Sequence, residues 1–466
     1  MVTPSSPPPS LEGMHGIDAR LAAWTNAARA RLAAPALAEA YGHVERVSAT
    51  LIGARLADCT IGHLCEIGHP HRNARPTLAE VVGFDGAHVL LAPLGCTQGL
   101  SPGTPVRSLG RGHELAVGAH LLGEVLDGLG RPLDPLDPAD PRRVDAPAAQ
   151  CRRQAVLAAP PPPTGRPRIA DKLVTGVRAI DALATLGRGQ RIALLAGPGA
   201  GKTTLLGALA RGTAADVVVL ALVGERGREL NEFLERELDR SRLARTVVVW
   251  TGADAAAIER VRAPFTATAI AEGFRAAGQH VLLLVDSLTR VARAQREIGL
   301  AAGEPPGRLG FPPSVYAMLP RLTERAGLTR DGSITAIYTV LTESDTGDPI
   351  AEEARSLLDG HIVLSRALVE RGHFPPIDVL ASLSRTMHAV VDDVHRSQAA
   401  RLRDLLARHR DLELLIALGE FQTGFDADND EAVARHARIA AFLRQDLRVA
   451  SSWLQTMEQL NATVHG

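Results

Sequence analysis

Residues 196–203 read Ala196-Gly197-Pro198-Gly199-Ala200-Gly201-Lys202-Thr203, and the fold follows from how that octet is read. Before it, Arg191-Ile192-Ala193-Leu194-Leu195 is an apolar run of strand length, and after it residues 204–211 carry helical spacing. Strand, glycine-rich turn and helix in that order form a phosphate-binding loop, here with Ala196 where Gly is commoner. The glycines let N–H groups turn inward onto phosphate oxygens, and the helix N-terminus adds its positive dipole end. In this reading Gly197, Gly199, Ala200, Gly201 and Thr204 cradle a nucleoside triphosphate. Lys202 reaches its β- and γ-phosphates, and the Thr203 hydroxyl holds Mg²⁺. A plain glycine-rich turn is the alternative, and composition opposes it. Of 51 basic residues all but Lys172 and Lys202 are arginine. A compact ammonium fits between phosphates inside a backbone cradle, where a planar guanidinium does not.

Working outward, Val281-Leu282-Leu283-Leu284-Val285-Asp286 is an apolar strand ending in a carboxylate. Such a residue lies at the carboxyl edge of the sheet, where ligands bind, and can hold Mg²⁺. A helix cap is the ordinary reading of an Asp there, but the phosphate loop earlier in the chain favours the metal role. Gly224-Glu225-Arg226-Gly227-Arg228-Glu229 follows another apolar run, so Glu225 is placed to polarise a water beside the γ-phosphate. A solvated charge run opening a helix is the competing reading.

The 466 residues predict about three domains. Strand candidates at 191–195, 216–223, 246–250, 281–285, 334–341 and 361–365 alternate with helices, which predicts a parallel sheet covered on both faces. Short strands with a hairpin at Asp85-Gly86 predict a small β-barrel over 41–106. Residues 1–40 read as a Pro/Ser tail and an adaptor helix, 107–168 as a Pro-rich connection, 169–389 as the α/β core and 390–466 as a helical domain. Cys59, Cys65, Cys96 and Cys151 lack a disulfide framework, and Cys59, His63, Cys65, His69 and His71 match no common zinc spacing. With a net charge of −1 and no run long enough for a membrane span, a cytosolic protein without a nucleic-acid partner is expected.

These three motifs resemble the catalytic core of the rotary ATP synthase superfamily. The run 286–299 (Asp-Ser-Leu-Thr-Arg-Val-Ala-Arg-Ala-Gln-Arg-Glu-Ile-Gly), with 332–341 and 358–366, is similar to the ATPases of type III protein secretion and flagellar export. The resemblance implies an α/β fold: a RecA-like P-loop ATPase core with an N-terminal β-barrel and a C-terminal helical domain, assembled as a homohexamer. It implies ATP and Mg²⁺ as cofactors, and Glu225 as the catalytic glutamate. Arg226 and Arg290 match arginines near the γ-phosphate. Phe374 matches the aromatic stacked on adenine, and Arg385 the finger that reaches a neighbour's site. Taken alone, Phe374 reads as a core aromatic and Arg385 as a surface arginine.

Implied partners are stator and central-stalk proteins, chaperone–substrate complexes and the inner-membrane export apparatus, met peripherally at its cytoplasmic face. The work implied is chaperone release and unfolding of cargo. Residues 60–65 and 99–103 look more like the injectisome branch than the flagellar one. The loop at Gly303–Gly310 departs from the family's commoner basic pattern, and no second adenine-pocket aromatic stands near Leu447. A RecA-like nucleic-acid motor would bring a basic, aromatic-laced strand site, which 3% aromatics do not supply. A non-catalytic ring subunit would lack Glu225.

Overall fold

The computed structural model describes residues 25, 41–68, 76–133, 151–238, 240–342 and 347–465. The expected N-terminal tail and, apart from Thr25, the adaptor helix lie outside these residues, as do His69 and His71. Among the described residues no group of three or more His, Cys, Asp and Glu is placed to hold a metal, and no helix is long and apolar enough to cross a membrane.

Alternating apolar residues in six short strands close a barrel, from Tyr41–Val47 to Pro105–Gly112. Val44, Ile52, Cys65, Ile67, Val81, Leu91 and Val106 fill it. Burial pushes the Cys65 thiol up to about 12, which suits an inert core residue and not a ligand. The hairpin joins Thr77–Asp85 to His88–Pro93 with Asp85 paired to His88, so Gly86 and Ala87 form a two-residue turn. Gly86 takes the positive φ that such a turn requires (59°).

The central sheet runs Ile377–Ser384, Gly360–Leu364, Arg191–Ala196, Ser333–Leu341, His280–Asp286, Val217–Glu225, Thr246–Gly252 and Val125–Leu126. Its apolar runs are buried on both faces, as in parallel sheets. Ala193, Leu195, Val219 and Leu283 join one cluster with the helices Ala257–Ala276 and Leu288–Ala301. Their neighbours Ile192, Leu194, Leu220 and Leu282 join a second with Lys202–Gly212 and the C-terminal helices.

Both edges of the sheet differ from the sequence expectation, one in direction and one in where its strand comes from. Ile377–Ser384 pairs antiparallel with Gly360–Leu364, and its half-exposed alternation marks it as an edge. At the other edge Val125–Leu126 pairs with Thr246–Gly252, so the stretch expected as connection contributes a strand. That stretch also carries the end of the last barrel strand and the ladder Glu114–Val117 with Arg152–Ala155.

Buried charges tie the layers together. Arg262 of the core helix donates from Nε to Glu80 of the barrel at 2.6 Å. Arg325 is fully buried between Glu272 (3.0 and 2.5 Å) and the Val156 carbonyl (2.5 Å). Such pairs add little as pairs, but removing one partner typically costs about 3–5 kcal/mol. The C-terminal helices Asp393–Leu418, Ala427–Leu443 and Trp453–His465 share the second core. His395 shares a 2.7 Å hydrogen bond with the Ala182 carbonyl, and Arg403 donates to the Leu183 and Ser382 carbonyls.

Candidate active site

The order of the strands assembles the site. Arg191–Ala196 delivers the phosphate loop at its carboxyl end, and Ser333–Leu341 separates it from His280–Asp286, which ends in Asp286. Val217–Glu225 lies beyond, with Leu222 opposite Asp286, so Glu225 stands just past the sheet edge. Gly199 and Gly201 adopt φ of 73° and 77°, the left-handed turn the loop needs, and the helix Lys202–Gly212 starts at once. Thr203 and Thr204 are exposed at its first turn.

Lys202 is brought onto both carboxylates. Its Nζ is ion-paired to Asp286 Oδ1 and lies 3.8 Å from Glu225 Oε1. Thr339 donates to the same Asp286 oxygen at 2.7 Å. The Thr203 hydroxyl, next in the chain to Lys202, is a second hard oxygen. That donor chemistry suits Mg²⁺, which binds through a few protein oxygens and keeps its waters.

Glu225 is 7% exposed and faces Arg290, whose Nη1 lies 3.1 Å from Oε2 and also donates to the Gly224 carbonyl. Gly224 is required here: its φ is 67°, and a Cβ would come within 3.3 Å of Arg290 Cδ. The helix Leu288–Ala301 aims Arg290, and Ser287 caps it by accepting the Arg290 N–H.

Burial raises the Glu225 carboxyl to about 7, with the hydrogen bond to Glu229 acting the same way and Arg290 opposing. Glu229 moves down, chiefly through that same hydrogen bond. A protonated Glu225 therefore donates to an ionised Glu229, and the pair titrates as a unit. A base must be ionised, so kcat/KM for ATP should rise with pH through an acid limb near pH 7. Glu229→Gln removes the shared-proton arrangement and the neighbouring charge, and should move that limb to lower pH. A limb unmoved in that variant would show that Glu229 does not set the titration.

The remaining candidates separate. Arg226 is exposed at the start of Gly227–Arg236, beside Glu229. Phe374 is half exposed, and Pro376, two residues on, lies 3.8 Å from where a Cβ on Gly201 would stand. Arg385 lies at the opposite edge of the sheet. Its N–H donates to the Asp359 carbonyl (3.0 Å), and Asp359 N–H donates to Arg191, the first residue of the strand that ends at the loop. The length of that strand, about 17 Å, separates Arg385 from its own phosphate loop. Two contributors escaped the sequence reading. Thr339 carried only the weak signal of a hydroxyl inside an apolar strand. Glu229 was visible in the charged run, but its partner was not.

Known proteins resemble this chain in sequence and fold. The ATP synthase alpha/beta family nucleotide-binding domain matches residues 176–384, its beta-barrel domain 46–110, and the T3SS EscN ATPase C-terminal domain 391–462. A type 3 secretion system ATPase of Pseudomonas syringae pv. syringae is 51% identical over 451 residues, covering 95% of this chain and 98% of that protein. A flagellum-specific ATP synthase of Bacillus subtilis is 44% identical over 87% of this chain and 91% of its own length. The assembled ATPase EscN of enteropathogenic E. coli superposes with a TM-score of 0.84 at 46% identity, over 91% of this chain and all of that one. EscN in complex with its central stalk EscO matches at 0.81 and 45%, with the same coverage. The three matched domains together with 51% identity over 95% of the chain show the family, and the chain belongs to the type 3 secretion system ATPases.

Proposed function

We propose that Glu225 is the general base with which this chain hydrolyses ATP to power type III protein secretion. The observation that carries this reading is the convergence of Lys202, Glu225, Asp286 and Arg290 at one sheet edge, above a loop built for phosphate. Lys202 would bind the β- and γ-phosphates. Glu225, once ionised, would take the proton of the attacking water, and Arg290 would hold the glutamate and face the developing charge. Thr203 and Asp286 would hold Mg²⁺, which supplies charge neutralisation between the β- and γ-phosphates when bound. Phe374 would stack on adenine. Secretion is favoured over flagellar export because the flagellum-specific relatives are 44% and 43% identical, against 51% for secretion ATPases.

Arg385 cannot serve its own site, so a complete site needs a neighbour, and a homohexameric ring supplies one for every subunit. Specific ATPase activity should therefore rise with protein concentration as the ring assembles. Phosphate release, measured across a dilution series alongside light scattering, tests this. A flat specific activity from monomer to ring would contradict it.

The tip of the C-terminal hairpin supports a stalk contact. Leu414, Leu418 and Phe425 are 69%, 62% and 85% exposed at the end of Asp393–Leu418 and before Ala427–Leu443. Apolar residues grouped in this way mark interaction sites, and EscN has been seen with its central stalk. Leu418→Ser with Phe425→Ser should abolish pull-down of the cognate stalk protein and leave stalk-free ATPase activity unchanged. Undiminished stalk binding would place the contact elsewhere.

A further inference from the structure

Gln190 is a fully buried amide, next to the strand Arg191–Ala196 that ends at the phosphate loop. A buried amide destabilises a fold unless its polar atoms are hydrogen-bonded, and an apolar side chain carries no such demand. Here every demand is met. Gln190 Oε1 accepts the Gly187 N–H at 2.8 Å and the Thr386 hydroxyl at 2.6 Å. Its Nε2 donates to the Asp359 carbonyl at 2.8 Å and to the Ser384 hydroxyl oxygen at 3.1 Å. These bonds use the full capacity of a glutamine side chain. They also fix its orientation, since a reversed amide would set its NH₂ against the Gly187 N–H and its oxygen against the Asp359 carbonyl.

Most of these partners surround Arg385. Ser384 and Thr386 flank it in the chain, and the Asp359 carbonyl that takes the Gln190 amide also accepts the Arg385 N–H at 3.0 Å. The partners are themselves held. The Ser384 hydroxyl donates to the Thr185 carbonyl at 2.8 Å. Arg191 donates from its N–H and its Nε to Asp359 Oδ2, both at 3.1 Å. The Gln190 carbonyl accepts the Ala336 N–H at 2.9 Å, which seats residue 190 against the central strand Ser333–Leu341. Residues 384–386 are thus gripped from inside the sheet, while the Arg385 side chain is exposed.

We propose, on the reading of Arg385 as a finger for the neighbouring site, that Gln190 is its positioning residue. A finger acts only when its guanidinium meets the developing charge in the right geometry. The Arg385 side chain is long and exposed, so a fixed backbone is what its own subunit contributes to that aim. Misplacement of a catalytic group by about 1 Å can cost about 10²-fold in rate. The clamp makes no contact with Lys202 or Glu225, so its loss falls on the neighbour's turnover and spares nucleotide binding to the same chain.

Thr386→Val keeps the shape of the side chain and removes the hydroxyl that Gln190 accepts. It should lower kcat about ten- to hundredfold and leave ATP affinity unchanged. Thr386→Ser restores the hydroxyl and should restore most of the rate. Gln190→Leu should act in the same direction and more strongly, with light scattering to confirm assembled rings. The deciding measurement is single-turnover phosphate release in an Arg385→Ala background. There Thr386→Val should cost nothing further, because a residue that works only through Arg385 has nothing left to position. An equal loss added on top of Arg385→Ala would overturn the proposal and leave the network as a support of the sheet. So would an unchanged kcat in Thr386→Val, or weakened ATP binding in that variant, which would place the effect at the chain's own phosphate loop. Full activity in Arg385→Ala alone would instead remove the finger, and its positioning residue with it.

Discussion

Glu225→Gln is expected to bind ATP with unchanged affinity and to hydrolyse it about 10²–10⁴-fold more slowly. The amide keeps the shape and the contact with Arg290 but cannot take a proton, so the loss falls on the transition state alone. The substitution also removes the carboxyl that burial holds near pH 7, so the acid limb of the residual rate should disappear with it. Fluorescent-nucleotide binding and single-turnover phosphate release separate the two effects. A ring of this variant should hold a chaperone–cargo complex with ATP and fail to release it. Lys202→Ala makes the contrast, since it removes a ligand of the ground-state phosphates and should weaken binding as well as chemistry. Substantial turnover by Glu225→Gln would remove Glu225 from the base role and leave it as a structural partner of Arg290.

Arg385→Ala is the second large effect. A finger that offsets charge on the transferred phosphoryl is worth about 10³–10⁵ in rate in related chemistry. This side chain is exposed and donates a 3.0 Å hydrogen bond from Nη2 to the Arg355 carbonyl. Truncating such a residue ordinarily moves stability by under about 0.5 kcal/mol. The expected result is therefore a folded, assembled ring with ATPase activity down at least about a thousandfold. A variant that keeps its activity would show that the catalytic unit is one subunit.

The sequence revealed most where chemistry is local. A phosphate loop needs its strand, glycines, lysine and helix consecutively, so 191–211 could be read in one pass. Asp286 and Glu225 were visible for a related reason: each closes an apolar run, and a parallel sheet puts all such ends on one edge. What escaped depends on lateral order. Thr339 reaches Asp286 because Ser333–Leu341 lies between the loop strand and His280–Asp286, and nothing in its own segment signals that. Ile377–Ser384 alternates buried and exposed residues because one side of it is open, so it lacked the continuous apolar run that marked the other strands. Val125–Leu126 is too short for any periodicity to show. Arg385 is the extreme case. Within one chain it is a surface arginine, and only the resemblance, together with its distance from its own loop, points to a role in the next subunit.

If each site is shared between neighbouring subunits, two inactive variants should complement each other on mixing. Lys202→Ala keeps a good Arg385, and Arg385→Ala keeps a good phosphate loop. Equal amounts, mixed as monomers and shown by mass to share rings, make roughly a quarter of the interfaces complete. ATPase activity should reappear on mixing, at up to about that fraction of the parent ring. Rings diluted with parent subunits distinguish strict coupling, which gives a steep loss per mutant added, from independent sites. No recovery from verified mixed rings, together with a merely linear loss on that dilution, would return each site to a single chain.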